Sequence, residues 1–208
     1  PYPLAKDGLL SYVKVDKVVL WIKILVACIP AAVVGVLFDE QLEAMFYNYQ
    51  TVSIALIVFG IAFIVIENRN AHQHSRIHSL RNITIQTALL IGVFQLIAAI
   101  FPGTSRSGAT IVGALLLGVS RTVAAEFTFF LAIPVMFGAS LLKIVKFGLS
   151  FTMQEATILI VGMVVAFVVS VFVIKFLMSY IKKHDFKVFG WYRIVLGIIV
   201  LVYFMFLG

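Results

Sequence analysis

The chain has 208 residues, 62% of them hydrophobic and 12% charged, with a net charge of +7 and a mean hydropathy of +1.12. A soluble domain is about 45–50% apolar and about 25% charged, so the composition excludes an ordinary soluble protein and marks an integral membrane protein. The apolar runs are long and continuous, which argues for helices and against the alternating strands of a β-barrel. Basic residues gather in the loops between these runs, so the positive charge reads as membrane topology and not as nucleic-acid binding. The single cysteine, Cys28, lies in an apolar run and supports neither a disulfide framework nor a cysteine metal site.

In chain order, Pro1-Tyr2-Pro3 and a mixed-charge segment to Lys17 read as a loop entered from something upstream, so the chain is expected to be an N-terminally truncated fragment. The first predicted span is 18–38, with Lys23 near one end, placed to snorkel, and Pro30 inside. Asp39, Glu40 and Glu43 follow in a loop expected outside. The second span is 51–66. The loop 67–82 carries Arg69, Arg76 and Arg81 with His72, His74 and His78, and is expected to be cytoplasmic. The third run is 83–100, and 111–117 is too short to span. Further spans are predicted at 122–145, with Glu126 near its start and Pro134 inside, at 156–180 and at 189–207. A loop is expected over 146–155, and a second basic loop carries Lys182, Lys183 and Lys187. Trp191, Tyr192 and Arg193 suit a membrane interface.

Both basic loops should face the cytoplasm, so an even number of crossings must separate them. Three long spans lie between, at 83–100, 122–145 and 156–180. The simplest resolution is a re-entrant hairpin over 83–117 that starts and ends on the cytoplasmic side. Its turn is Pro102-Gly103-Thr104-Ser105-Arg106-Ser107-Gly108-Ala109-Thr110.

This turn is the most polar stretch within the apolar part of the chain. Pro102 and Gly103 end one helix. Ser105, Ser107 and Thr110 open the next, where hydroxyls cap free N–H groups and those groups attract anions. Arg106 adds a planar fork of donors suited to phosphate. A fixed charge at membrane depth is costly and marks a functional site. The sum is a phosphate cradle with apolar walls, and its natural ligand is a lipid phosphate or pyrophosphate.

The segment from Pro102 to Thr110 resembles the PGxSRSxxT motif of the undecaprenyl pyrophosphate phosphatase family, also called bacitracin-resistance proteins. Gly92-Val93-Phe94-Gln95, Gly118-Val119-Ser120-Arg121, Ala125-Glu126-Phe127, Leu131-Ala132-Ile133-Pro134 and Ile29-Pro30-Ala31-Ala32-Val33-Val34-Gly35 extend the similarity in the family's order. The resemblance implies an all-α polytopic bundle, part of an inverted-repeat fold with re-entrant helices, in a bacterial cell membrane. It implies hydrolysis of undecaprenyl pyrophosphate to undecaprenyl phosphate and inorganic phosphate, which recycles the lipid carrier of peptidoglycan synthesis and affects bacitracin resistance. Ser105, Arg106 and Thr110 are the expected catalytic residues. Gly103, Thr104, Ser107 and Gly108 are expected to bind the substrate's phosphates, with Gln95 and Glu126 as candidate supporting groups. A divalent cation, Mg2+ or Ca2+, is implied as cofactor, and undecaprenyl pyrophosphate and membrane lipids as partners.

The family's other motif, glutamate-rich and followed by Pro-x-Ser-Ser and a histidine, has no counterpart in this chain. Its groups would activate water or attack phosphorus. The chain is therefore expected to hold half a site and to be inactive alone. Two other classes stay open from the sequence: a lipid-phosphate transporter or flippase, whose broken helices would look alike, and a non-catalytic truncated remnant. The His72, His74 and His78 run reads as a solvated loop and not as a metal site.

Overall fold

A computed structural model describes residues 15–71, 75–147 and 152–206. Its helices are α1 Val15–Phe46, α2 Tyr49–Ala71, α3 Ile85–Ile100, α4 Arg106–Leu116, α5 Arg121–Phe147, α6 Met153–Ile181 and α7 Lys187–Phe206, with a 3-10 turn at Leu80–Asn82. Among the described residues there is no strand, and five helices are long and apolar enough to cross a membrane. The chain is an all-α, multi-pass membrane protein. The expected N-terminal loop before Val15, together with His72 and His74, lies outside the described residues.

Helices extend into three of the expected loops. α1 runs through Asp39, Glu40 and Glu43 to Phe46, because Leu37 to Phe46 contains neither glycine nor proline and is rich in Glu, Gln, Leu, Ala and Met, all strong helix formers. The Phe46 ring packs edge-on against Phe101, 5.0 Å away, which ties the end of α1 to the central turn. α2 continues past Ile66 to Ala71 and carries Glu67 inside the protein. Of the expected 146–155 loop, Lys146 and Phe147 belong to α5 and Met153 to Glu155 to α6. Thr152 caps α6 in a reciprocal box, its N–H donating to Glu155 Oε2 at 2.8 Å.

α3 and α4 form a hairpin. At about 1.5 Å per residue neither reaches the roughly 30 Å of a hydrocarbon core. The hairpin's base is closed by backbone bonds: the Arg76 N–H donates to the Gly118 carbonyl (2.8 Å) and the Ser120 N–H to the Ile77 carbonyl (2.9 Å). Its two ends therefore leave from one place. α4 is the centre of the protein, with every residue from Gly108 to Leu115 buried. α4 packs against α2, α3 and α5, which together enclose it. Ile24 and Ala27 of α1, Ile91 of α3, and Phe127 and Leu131 of α5 complete this core.

α2 lies along α7 and supports the other side of the hairpin. Glycines bring these two backbones together: a methyl group on Gly60 would sit 2.7 Å from the Gly190 carbonyl oxygen, and one on Gly190 would sit 2.8 Å from that of Gly60. Close approach of small residues is the usual source of packing energy between helices in lipid. α6, in contrast, exposes nearly all its apolar side chains.

Candidate functional site

The turn between α3 and α4 is built around two residues with positive φ. Gly103 has φ 88°, and a side chain there would lie 2.6 Å from the Val52 carbonyl oxygen of α2. Only glycine fits both the dihedral and the space. Ser105 has φ 66° and ψ 120°, an uncommon conformation for a residue with a Cβ. Such strain costs on the order of 1–3 kcal/mol and persists only where the surroundings enforce it, which is typical of binding sites. Ser105 is the N-cap of α4: its Oγ accepts from the Gly108 N–H at 3.3 Å and lies 3.2 Å from the Ser107 hydroxyl.

Arg193 of α7 enforces this turn. Its guanidinium Nη2 donates to the carbonyls of Gly103 (2.5 Å) and Thr104 (2.6 Å). It is 7% exposed, and its Nε, like the buried Thr104 hydroxyl, has no hydrogen-bond partner among the described residues. The expected interfacial role of Arg193 is therefore corrected: Trp191 and Tyr192 are exposed, while Arg193 turns inward to hold the central turn. The signal was available. An arginine inside an apolar helix is a candidate functional residue by default, and the neighbouring aromatic pair masked it.

Beside the turn lies a cavity of about 490 Å³. Gly103, Ser105, Ser107, Gly108 and Arg193 line its polar part, and Phe63, Phe129, Phe186 and Phe189 belong to its apolar wall. Two serine hydroxyls, the N-terminus of α4 and a buried guanidinium thus meet on one apolar cavity. This donor-rich combination can hold a phosphate while its walls hold a hydrocarbon chain.

The other expected site residues fall around this cavity and not on it. Arg106 is exposed, and its Nη2 rests on the Met136 sulfur of α5. A thioether is a weak acceptor, so the guanidinium gives up little when it turns to an anion. Thr110 is 1% exposed; its hydroxyl donates to the Arg106 carbonyl (3.0 Å) or the Ser107 carbonyl (3.1 Å) and accepts from Thr128 at 3.0 Å. Thr104 is fully buried in the turn. Gln95 of α3 is 2% exposed, and its Nε2 has no partner among the described residues. Glu126 lines a different cavity, with Lys23 and Arg81.

Two further charged residues depart from their sequence-based expectation. Lys23 does not snorkel: it is 8% exposed, and its Nζ donates to the Arg81 carbonyl at 3.0 Å. Glu67, expected in a solvated loop, is fully buried and forms an ion pair with Arg121 at the start of α5.

The described residues do not fit a resident divalent cation. Among the described residues no three His, Cys, Asp or Glu side chains come together, and the cavity at the turn has no carboxylate or imidazole on its wall.

Comparison with known proteins identifies the chain's relatives. The chain is 70% identical over 194 residues to an undecaprenyl-diphosphatase 1 of Clostridium acetobutylicum, covering 93% of this chain and 71% of that protein. It is 69% identical over 192 residues to an undecaprenyl-diphosphatase of Desulfitobacterium hafniense, covering 92% and 69%. It is 61% identical over 192 residues to an undecaprenyl-diphosphatase of Enterococcus faecalis, again covering 92% and 69%. Residues 5–199 match the family described as Bacitracin resistance protein BacA, and the chain belongs to that family.

Proposed function

We propose that this protein hydrolyses undecaprenyl pyrophosphate to undecaprenyl phosphate and inorganic phosphate in the bacterial cell membrane, recycling the lipid carrier of cell-wall synthesis. Relatives at 61–70% identity named undecaprenyl-diphosphatase support the reaction. The observation that carries it in this chain is the buried Arg193 and the strained Ser105 meeting Ser107 on an apolar-walled cavity.

In this reading the terminal phosphate sits at the N-terminus of α4. Ser105 and Ser107 donate hydroxyl hydrogen bonds to it. Arg106 leaves the Met136 sulfur and pairs with the non-bridging oxygens, where negative charge is held as the bridging P–O bond breaks. Arg193 keeps the turn's carbonyls directed away from the anion. Thr110 and Thr128 lock the first turn of α4 behind it. The prenyl chain lies along the phenylalanine wall. A Mg2+ or Ca2+ requirement stays a proposal drawn from the family, and such a cation would arrive on the pyrophosphate.

The test is phosphate release from a prenyl pyrophosphate in detergent, using protein expressed from the complete coding sequence. Arg106→Ala is expected to lower kcat by about 10²–10³-fold, the usual loss for one donor aimed at developing charge. Phosphate release unchanged in Arg106→Ala would remove Arg106 from the reaction.

A further inference from the structure

The second cavity, at the base of the α3–α4 hairpin, is the larger of the two at about 640 Å³. Among the described residues it shares no lining residue with the cavity at the turn. α1 contributes Asp16, Lys17 and Lys23, the segment before α3 contributes His78, Ser79 and Arg81, and the start of α5 contributes Ser120, Thr122 and Glu126.

Lys23 is the decisive group. Its ammonium has three donors, and the one bond recorded for it goes to the neutral Arg81 carbonyl. It is more than nine-tenths buried, yet none of the ion pairs among the described residues includes it. A buried charge without a counter-charge is costly. The carboxylates do not resolve this: Asp16 is held at 2.9 Å by Arg81, and Glu126 forms no ion pair within the described residues. The first turn of α5 adds the positive end of a helix dipole to the same cavity. Lys17, His78 and the hydroxyls of Ser79, Ser120 and Thr122 surround it.

We infer that this cavity is a second anion site, which takes a phosphate group carried by a lipid headgroup or free in solution, with Lys23 as its central ligand. Lys23 supplies the buried charge. Ser120, Thr122 and the N–H groups of α5 supply neutral donors. Glu126, on the wall of the same cavity, opposes the anion and limits its affinity. The site stands apart from the hydrolytic turn and does not depend on the role given to that turn.

The protein expressed from the complete coding sequence, carrying Arg106→Ala and held in nanodiscs of zwitterionic lipid, is titrated calorimetrically with inorganic phosphate and, separately, with short-chain phosphatidic acid. Binding of the lipid alone assigns the site to headgroups, and binding of both shows that free phosphate suffices; either supports the site. In that background Lys23→Met should weaken binding at least about tenfold, the scale of one charged hydrogen bond, and Glu126→Gln should strengthen it. No binding of either ligand, or affinities unmoved by Lys23→Met, overturns the inference. If Lys23→Met does not fold, Glu126→Gln decides alone, and an unchanged affinity overturns the inference as well.

Discussion

At the residue scale the site depends on side chains that do not touch one another in sequence. Arg193 lies 89 positions from Thr104, yet holds its carbonyl at 2.6 Å. Replacing it with methionine keeps the length and removes both bonds to the turn. The two carbonyls lose their charged partner, at a cost of about 1–3 kcal/mol. Ser105, whose conformation the turn enforces, is then free to relax. Arg193→Met should therefore lower both the melting temperature and kcat, and Arg193→Lys should restore stability better than activity, because an ammonium lacks the planar fork. A circular-dichroism melt beside a phosphate-release assay separates the two effects. Gly103 is the complementary case. Gly103→Ala puts a methyl group 2.6 Å from the Val52 carbonyl oxygen in a left-handed conformation. The strain alone is about 1–2 kcal/mol, and the clash must push α2 away from the turn. Loss of stability together with activity is expected; a variant as stable and as active as the parent would show that the turn is not confined by α2.

At the element scale the apolar periodicity of the chain was a good guide to existence and a poor guide to ends. Every predicted long span is a helix, and the polar stretch around Pro102-Gly103 is the turn between α3 and α4. The ends went wrong where polarity was taken as a helix stop. Asp39, Glu40 and Glu43 ride on α1 beyond its apolar part, and Glu67 rides on α2. Hydropathy reports where a helix meets lipid and carries no information on where its hydrogen bonding ends. The donors of the central turn were legible as residues, because hydroxyls and an arginine are too costly to leave at a helix break in an apolar stretch unless they bind something. Their partners were not, because Arg193 and Glu67 act across long sequence separations that no local pattern encodes. The pair of Glu67 with Arg121 joins α2 to α5 at the hairpin base and gives an asymmetric expectation. Glu67 is wholly buried, whereas the Arg121 side chain is 38% exposed. Arg121→Met strands a buried carboxylate and should cost about 3–5 kcal/mol. Glu67→Gln leaves a cation that water still reaches and should cost clearly less. Equal losses in thermal melts of the two variants would mean that the pair is not what holds α2 to α5.

At the scale of the whole molecule the two ends of one short hairpin border two cavities with different linings, and α4 links them as the most buried of the described helices. The turn gathers hydroxyls, a helix N-terminus and arginines, groups that can bind an anion. Among the described residues it gathers no group that takes a proton: none of those on the cavity wall is a carboxylate or a histidine. Hydrolysis needs such a group, either to activate water or to act as nucleophile. In the proposed reaction the described residues would bind the phosphoryl group and hold charge in the transition state, while the group that starts the attack is not among those on the cavity wall. Expressed alone, these 208 residues should bind a prenyl pyrophosphate and release phosphate at a rate near the no-enzyme control. A protein with the full length of the relatives, of which this chain covers 69–71%, should show turnover, and Arg106→Ala in it should remove that turnover. Phosphate release and substrate binding measured side by side on the three proteins make this sharp. Rapid hydrolysis by the 208-residue chain would mean that it contains its own base, and Glu126 and His78, both on the second cavity, would be the first candidates to replace. Binding without hydrolysis would show that the turn recognises its substrate independently of the groups that cleave it.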